Sequence, residues 1–240
     1  MFDKTQNLGI IVFTVIITFS AGYLKPLYNM DMIGYVASAF HMDGLKGQQL
    51  SEKTYADIKN EVGNDTFDTL TADGDYRSEL YQNYRALEQH LPFYTPRVLY
   101  LGSMRVLGNF GLSYAKSSYL VSSFFAAASV LIIAVLLNQL NVSVYFLPFI
   151  VISSGLITLA RLTSPDAMAC FFSLSALSIT IKRNTSYLII AAVLPLIRTD
   201  FLILSLLLVI YSYLSGNKLM GIISALVAVI SYFLINTIFN

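Results

Sequence analysis

The chain has 240 residues, 56% of them hydrophobic and only 12% charged, with a mean hydropathy of +0.65 and a formal net charge of +1. A soluble domain carries about a quarter charged residues, so this composition excludes a water-soluble enzyme and a disordered tail, and no segment is basic enough to follow a nucleic-acid backbone. Of the 29 charged side chains, 18 lie between Lys25 and Arg97 and nine follow Tyr100. That distribution reads as an all-α polytopic membrane protein with one large polar insertion.

In chain order, residues 1–24 hold a short N-terminus and a first uncharged apolar run, 8–24. Lys4 precedes it, and Phe19-Ser20-Ala21-Gly22 is a poor cleavage site, so the run is expected to be an uncleaved signal anchor. The insertion, 25–116, is expected to be helical and to lie along the membrane surface. Tyr76, Leu80, Tyr84, Leu87 and Leu91 recur at steps of four, four, three and four, which lines one helical face. Asp73 and Asp75 sit where a helix start favours acids. A second amphipathic stretch, 51–62, offers Tyr55, Ile58 and Val62, and 96–108 is apolar apart from Arg97, Ser103 and Arg105. Nine of the 16 tyrosines lie between Tyr23 and Tyr100, as befits a headgroup layer. His41 and His90 read as solvated loop histidines. Cys170, the single cysteine, permits neither an intrachain disulfide nor a Cys-based metal site.

Residues 117–240 hold the remaining runs: 117–137, 142–160 with a bend expected at Pro148, 167–181, 187–197, 201–214 and 219–239. The short runs 187–197 and 201–214 make either one long helix or a hairpin with Arg198-Thr199-Asp200 at its tip. A single helix strands Arg198 near the bilayer centre, which is costly. The hairpin leaves Lys4, Lys182, Arg183 and Lys218 on the cytoplasmic side, as the positive-inside rule prefers. The expectation is therefore about seven transmembrane helices in the cytoplasmic (inner or plasma) membrane. The insertion, the 161–166 turn and the 198–200 tip then share the extracytoplasmic face.

Three places on that face read as chemistry. Asp31, in Asn29-Met30-Asp31-Met32-Ile33-Gly34-Tyr35, is a lone acid between apolar neighbours and suits a general base, or else a helix cap or a solvated loop acid. In Arg161-Leu162-Thr163-Ser164-Pro165-Asp166, Ser164 is expected to cap the following helix, with Pro165 and Asp166 in its first turn. Arg161 stands against the positive-inside trend, as a headgroup anchor or an anion holder. At the tip, Thr199 is expected to cap the helix from Phe201. Two helix N-termini and two arginines would suit a phosphate or pyrophosphate.

Taken in order, these features resemble the GT-C superfamily of membrane glycosyltransferases, which draw sugars from polyprenyl-phosphate carriers. The likeness rests on Asp31 early in a large outer loop and on the loop's end, His90-Leu91-Pro92-Phe93-Tyr94-Thr95-Pro96-Arg97-Val98-Leu99-Tyr100, followed by Val106-Leu107-Gly108-Asn109-Phe110-Gly111. It rests also on Ser164-Pro165-Asp166-Ala167 and on Leu194-Pro195-Leu196-Ile197-Arg198-Thr199-Asp200. It covers nearly the whole chain and corresponds to the family's shared N-terminal module, without the further spans most members carry. The resemblance implies an inverting sugar transfer outside the membrane, with Asp31 as catalytic base and Arg198, Arg161 and Asp200 at the donor phosphate. Arg97 and Arg105 stand in reserve for that phosphate, and Asp166 orients Arg161, the sugar or a metal. The acid at 31 is single, with no Asp-x-Asp or Asp-Glu pair, which argues against metal dependence; a divalent metal is the one cofactor left open. Partners would be the polyprenyl-phosphate-linked sugar, the bilayer and a glycan, lipid or protein acceptor. Two other readings remain: a non-catalytic membrane subunit, flippase-like or scaffolding, and a polysaccharide polymerase or ligase. A nucleotide-sugar donor is disfavoured because no Gly-x-Gly-x-x-Gly or phosphate-binding Gly-Lys-Ser/Thr loop is present.

Overall fold

The structure, a computed structural model, describes residues 4–182 and 185–239. Asp3 and Arg183, the latter one of the charges used to orient the chain, lie outside the described residues. All regular elements among the described residues are helical, apart from one isolated bridge between Leu27 and Leu162. Two helices are long and apolar enough to cross a membrane, α1 (Lys4–Leu24) and α8 (Tyr114–Gln139).

Between them the insertion folds as six helices: α2 (Asp31–Met42), α3 (Gly47–Val62), α4 (Asn64–Ala72), α5 (Asp75–Gln82), α6 (Tyr84–His90) and α7 (Val98–Asn109). They form a packed cap rather than a set of separate surface helices. Leu50, Ile58, Leu87, Leu101 and Met104 are almost fully buried in one cluster with Met32 and Val36 of α2. Each such side chain contributes about 1.5–3 kcal/mol of burial. The apolar face from Tyr76 to Leu91 is not one continuous helix. Asn83 breaks it, its extended backbone starting α6 while its side chain accepts from the Arg85 N–H at 3.1 Å; Asn competes well as an N-cap. Leu80, Leu87 and Leu91 still point inward, but Tyr76 is 48% exposed.

The helices after α8 are α9 (Leu147–Ser153), α10 (Leu156–Arg161), α11 (Asp166–Ile181), α12 (Tyr187–Ile197), α13 (Leu202–Leu214) and α14 (Lys218–Phe239). The 142–160 run bends, but not at Pro148, which sits in the first turn of α9 where its missing N–H costs nothing. The break falls at Gly155, whose left-handed φ of 74° ends α9 and restarts the chain as α10. The 187–214 region is a hairpin, with a short 3-10 turn (Thr199–Phe201) between its arms and the Ser205 hydroxyl donating to the Ala191 carbonyl.

Small residues bring α1, α8 and α10 together. Ser117, Ser118, Ser122, Ser123 and Ser129 of α8 are all fully buried. Most satisfy their hydroxyls on the preceding turn, and Ser122 and Ser123 also reach the Ser164 and Ala160 carbonyls at 2.8 and 3.1 Å. Gly22 faces Ser123 and the Ala160 carbonyl so closely that a Cβ would overlap both. The cap is seated on this bundle by acids of α3 that reach the start of α8. Asp57 accepts from the Ala115 N–H at 2.8 Å, and Glu61 from the Tyr119 hydroxyl at 2.5 Å, where the helix dipole favours negative charge. Leu194 and Ile197, at the tip of the hairpin, are buried in the cap's own core. That contact holds the tip against the cap.

Candidate functional site

A cleft of ≈ 380 Å³ opens where the cap, the start of α11 and the hairpin tip meet. Asp31, Arg97, Asp166 and Arg198 all line it, although as many as 167 positions separate them in sequence. Asp31 is the first residue of α2, with Met30 as the cap. It therefore complements that helix's dipole and also presents its carboxylate to the cleft. Asn29 donates to Asp31 Oδ2 at 3.2 Å and Tyr94 to Asp31 Oδ1 at 3.3 Å. Thr163 in turn donates to the Asn29 side-chain oxygen, so the loop before α2 and the turn before α11 are joined through the residue that holds Asp31.

Tyr94 is held in place. Its ring meets Tyr35 edge-on with centroids 5.0 Å apart, and Tyr35 meets Tyr100 in the same manner at 4.9 Å. Tyr100 anchors the row by donating to the Ser118 carbonyl of α8 at 2.8 Å. Gly34, one turn into α2, lies flat against the Tyr94 ring with no room for a Cβ. Burial, then the neighbouring Asp31 carboxylate, pushes the Tyr94 phenol above the usual tyrosine range. Burial does the same to Tyr35, with Arg97 opposing it. Both phenols are thus protonated donors over any ordinary pH.

The cations of the cleft differ in kind. Arg198 is bound on both edges: Nη1 pairs with Asp166, and Nε and Nη2 form a two-pronged pair with Asp200 at 3.0 Å each. Burial works against its charge, but the two carboxylates outweigh it and hold the guanidinium more firmly protonated than usual. Arg97 forms no ion pair among the described residues, and its solvent-shielded Nε has no hydrogen-bond partner. A shielded guanidinium edge left unpaired costs about 1–3 kcal/mol or more.

Ser164 does not cap α11: Pro165 takes that position and the Ser164 hydroxyl donates to Asp166 Oδ2 at 2.8 Å. Thr199 likewise makes no cap bond, because the chain enters a 3-10 turn capped by Arg198. Arg161 and Arg105 are not among the residues that line the cleft. Arg161 Nε donates to the Lys25 carbonyl at 2.6 Å and its own carbonyl accepts from Leu27 N–H at 2.7 Å, which ties the chain leaving α1 to the end of α10. This accounts for a positive charge at that end without an anion. Arg105 pairs with Asp43 at 2.8 Å, and Asp43 also receives the Tyr114 hydroxyl.

Sequence reasoning missed the tyrosines of the cleft, Tyr35, Tyr76 and Tyr94, and took His90 for a solvated loop residue. His90 is half-buried in the cleft wall, its Nδ1 donating to the Ala86 carbonyl at 2.9 Å and its ring edge-on to Tyr76 at 5.2 Å. His41 lies in the last turn of α2, its Nδ1 shielded and without a partner. The one available signal was the spacing of Asp31 and Tyr35, one helical turn apart and so on one face. Among the described residues no three His, Cys, Asp or Glu side chains cluster as a metal-holding set. No family model, curated protein or solved structure matches the chain.

Proposed function

We propose that the chain is an integral membrane glycosyltransferase that moves a sugar from a polyprenyl-phosphate carrier to an acceptor hydroxyl on the extracytoplasmic face of the cytoplasmic membrane. The observation that carries the reading is the joint placement of one carboxylate, Asp31, and one unpaired guanidinium, Arg97, in a single cleft at the junction of cap and bundle. In the step proposed, Asp31 takes the proton of the acceptor hydroxyl as its oxygen attacks the anomeric carbon. The bond from that carbon to the carrier phosphate breaks, its electron pair leaves with the phosphate, and the anomeric centre inverts. Arg97 meets the growing charge on the leaving phosphate. Arg198, already shared between Asp166 and Asp200, positions those acids and offers a weaker field to the anion. Tyr35 and Tyr94 supply neutral donors beside the base.

Support for a bilayer around the bundle comes from its outer surface. Phe13, Phe149, Ile203 and Leu214 are 64–78% exposed, and α1, α13 and α14 each present further large apolar side chains outward. Apolar surface of that extent is rare on a protein in water. The proposed orientation is supported by Lys182, just past the end of α11, and Lys218, at the start of α14, neither of which lines the cleft.

The test compares lipid-linked sugars and surface glycans, by mass spectrometry, in cells carrying the intact gene, a deletion, and Asp31→Asn at equal protein level. Loss of the same sugar in both altered strains, with build-up of its lipid-linked donor, is the expected result. A normal profile in Asp31→Asn would sink the assignment of the base.

A further inference from the structure

A second cleft, of ≈ 420 Å³, lies in the cap between α3, α4, α5 and α6, and neither Asp31 nor any arginine lines it. Its apolar wall is a group of rings set edge to face: Tyr55 with Tyr81 at 4.8 Å, Phe67 with Tyr81 at 5.6 Å, and Tyr55 with Phe67 at 6.3 Å. Tyr81 is 44% exposed, so the arrangement leaves an aromatic surface open to a ligand. The cleft is lined as well by Gln48, Glu52, Lys59 and Gln82. Gln48 donates to Glu52 at 3.0 Å, and Lys59 stacks over Phe67 at 5.4 Å. One acid and one base cancel, so the cleft selects for neither charge.

A further observation points to a ligand. Tyr55 is 5% exposed, and its hydroxyl, closed off from solvent, has no hydrogen-bond partner. A buried hydroxyl without a partner costs about 1–3 kcal/mol, and the neighbouring Phe67 shows that the same core accepts a ring without one. Aromatic faces for C–H surfaces, amides and a carboxylate for hydroxyls, and no net charge together describe the recognition of an uncharged, hydroxyl-rich ring.

We propose that this cleft is a binding site for a neutral saccharide, with room for on the order of two sugar rings, stacked on Tyr81 and hydrogen-bonded by Gln48, Glu52 and Gln82, and by the Tyr55 hydroxyl once the partly exposed Tyr81 ring beside it shifts to admit the sugar. The α5–α6 pair serves both sites: Tyr81, Gln82 and Tyr84 face this cleft, whereas Tyr76 and His90 face that of Asp31. Use of the site to hold an acceptor glycan rests on the transfer reading; saccharide binding itself does not.

The experiment is saturation-transfer NMR and calorimetry on the purified full-length chain. The probes are neutral di- and trisaccharides of glucose, galactose, mannose and N-acetylglucosamine, with a glucuronate-containing disaccharide as the charged comparison. At least one neutral sugar is expected to bind. Tyr81→Ala should weaken it about tenfold, and Tyr55→Phe about two- to tenfold, the worth of one hydrogen bond. Tyr55→Phe should also leave the free protein as stable as before or more so, which separates lost recognition from lost folding. Asp31→Asn should bind the sugar normally while losing transfer, so the two proposals fail separately. Absence of binding by every neutral sugar, preference for the charged one, or equal affinity in Tyr81→Ala and the unaltered chain would each overturn the assignment.

Discussion

Gly34→Ala tests the geometry around Asp31 by the sign of one stability change. Gly34 sits inside α2 with ordinary helical backbone, so alanine alone should stabilise the helix by about 1 kcal/mol. Against that gain, the new Cβ falls under 3.0 Å from three carbons of the Tyr94 ring. The ring has to retreat by roughly 1.2–1.7 Å to regain the 3.5–4.0 Å spacing of non-bonded carbons. It is not free to do so, being packed edge-on against Tyr35, which is itself packed on Tyr100. Overpacking of this kind costs about 1–3 kcal/mol, so a net loss of up to about 2 kcal/mol is expected. The Tyr94 hydroxyl, already 3.3 Å from Asp31, would leave hydrogen-bond range. Chemical unfolding of the purified chain reads the stability, and the lipid-linked sugar profile reads transfer, which should fall. Tyr94→Ala in the same chain removes the obstacle, so the double variant should lose markedly less than the sum of the two single changes. A Gly34→Ala protein more stable than the parent, with no coupling to Tyr94, would refute the argument that this glycine exists to let Tyr94 reach Asp31.

Three other outcomes follow from particular contacts. Arg97→Gln should weaken binding of a short polyprenyl phosphate by about 10- to 100-fold, one charge-assisted hydrogen bond, whereas Arg105→Gln, whose arginine is already paired with Asp43, should leave it unchanged; equal effects would remove Arg97 from the donor site. Burial raises the Asp57 carboxyl above its ordinary value, partly offset by the Ala115 N–H. Its contribution to stability is therefore fullest below the usual carboxylate range and is lost as pH rises through the raised folded value. Asp57→Asn, which keeps an acceptor for Ala115, should flatten the pH dependence of the melting temperature on that side and not lower it at pH 7. Gly22→Ala should destabilise by about 1–3 kcal/mol in unfolding measurements, since its Cβ meets the Ala160 backbone carbonyl, which cannot turn aside as a side-chain end would.

Much of the architecture was legible in residue order. The apolar runs at 8–24 and 117–137 correspond to α1 and α8, and the period of Tyr55 and Ile58 marked the buried face of α3. The Arg198-Thr199-Asp200 tip also announced a hairpin, because a helix carrying those charges through its middle would strand them. These signals are local: the spacing of apolar side chains and the cost of placing a charge are properties of a few neighbouring residues. Breaks within helices were harder to place. Asn83 and Gly155 interrupt runs whose hydrophobic period passes through them unchanged, and Pro148, the louder signal, merely opens a helix.

The site divides in the same manner. Residue type and neighbours singled out Asp31, Arg161 and Arg198, while the resemblance added a role for Asp166 and held Arg97 and Arg105 only in reserve. Only the folded chain separates Arg198, held between two carboxylates, from Arg97, left unpaired at a shielded edge, and only it removes Arg161 to the Lys25 carbonyl and Arg105 to Asp43. The pairing of a charged group is decided by which distant segment arrives beside it. Here that depends on Leu194 and Ile197 packing into the cap and on serines and glycine letting α1, α8 and α10 approach closely. Composition and periodicity determined that the chain is helical and where most helices run, because those depend on each segment's own burial; the make-up of the two clefts was decided by long-range packing, which no single segment encodes.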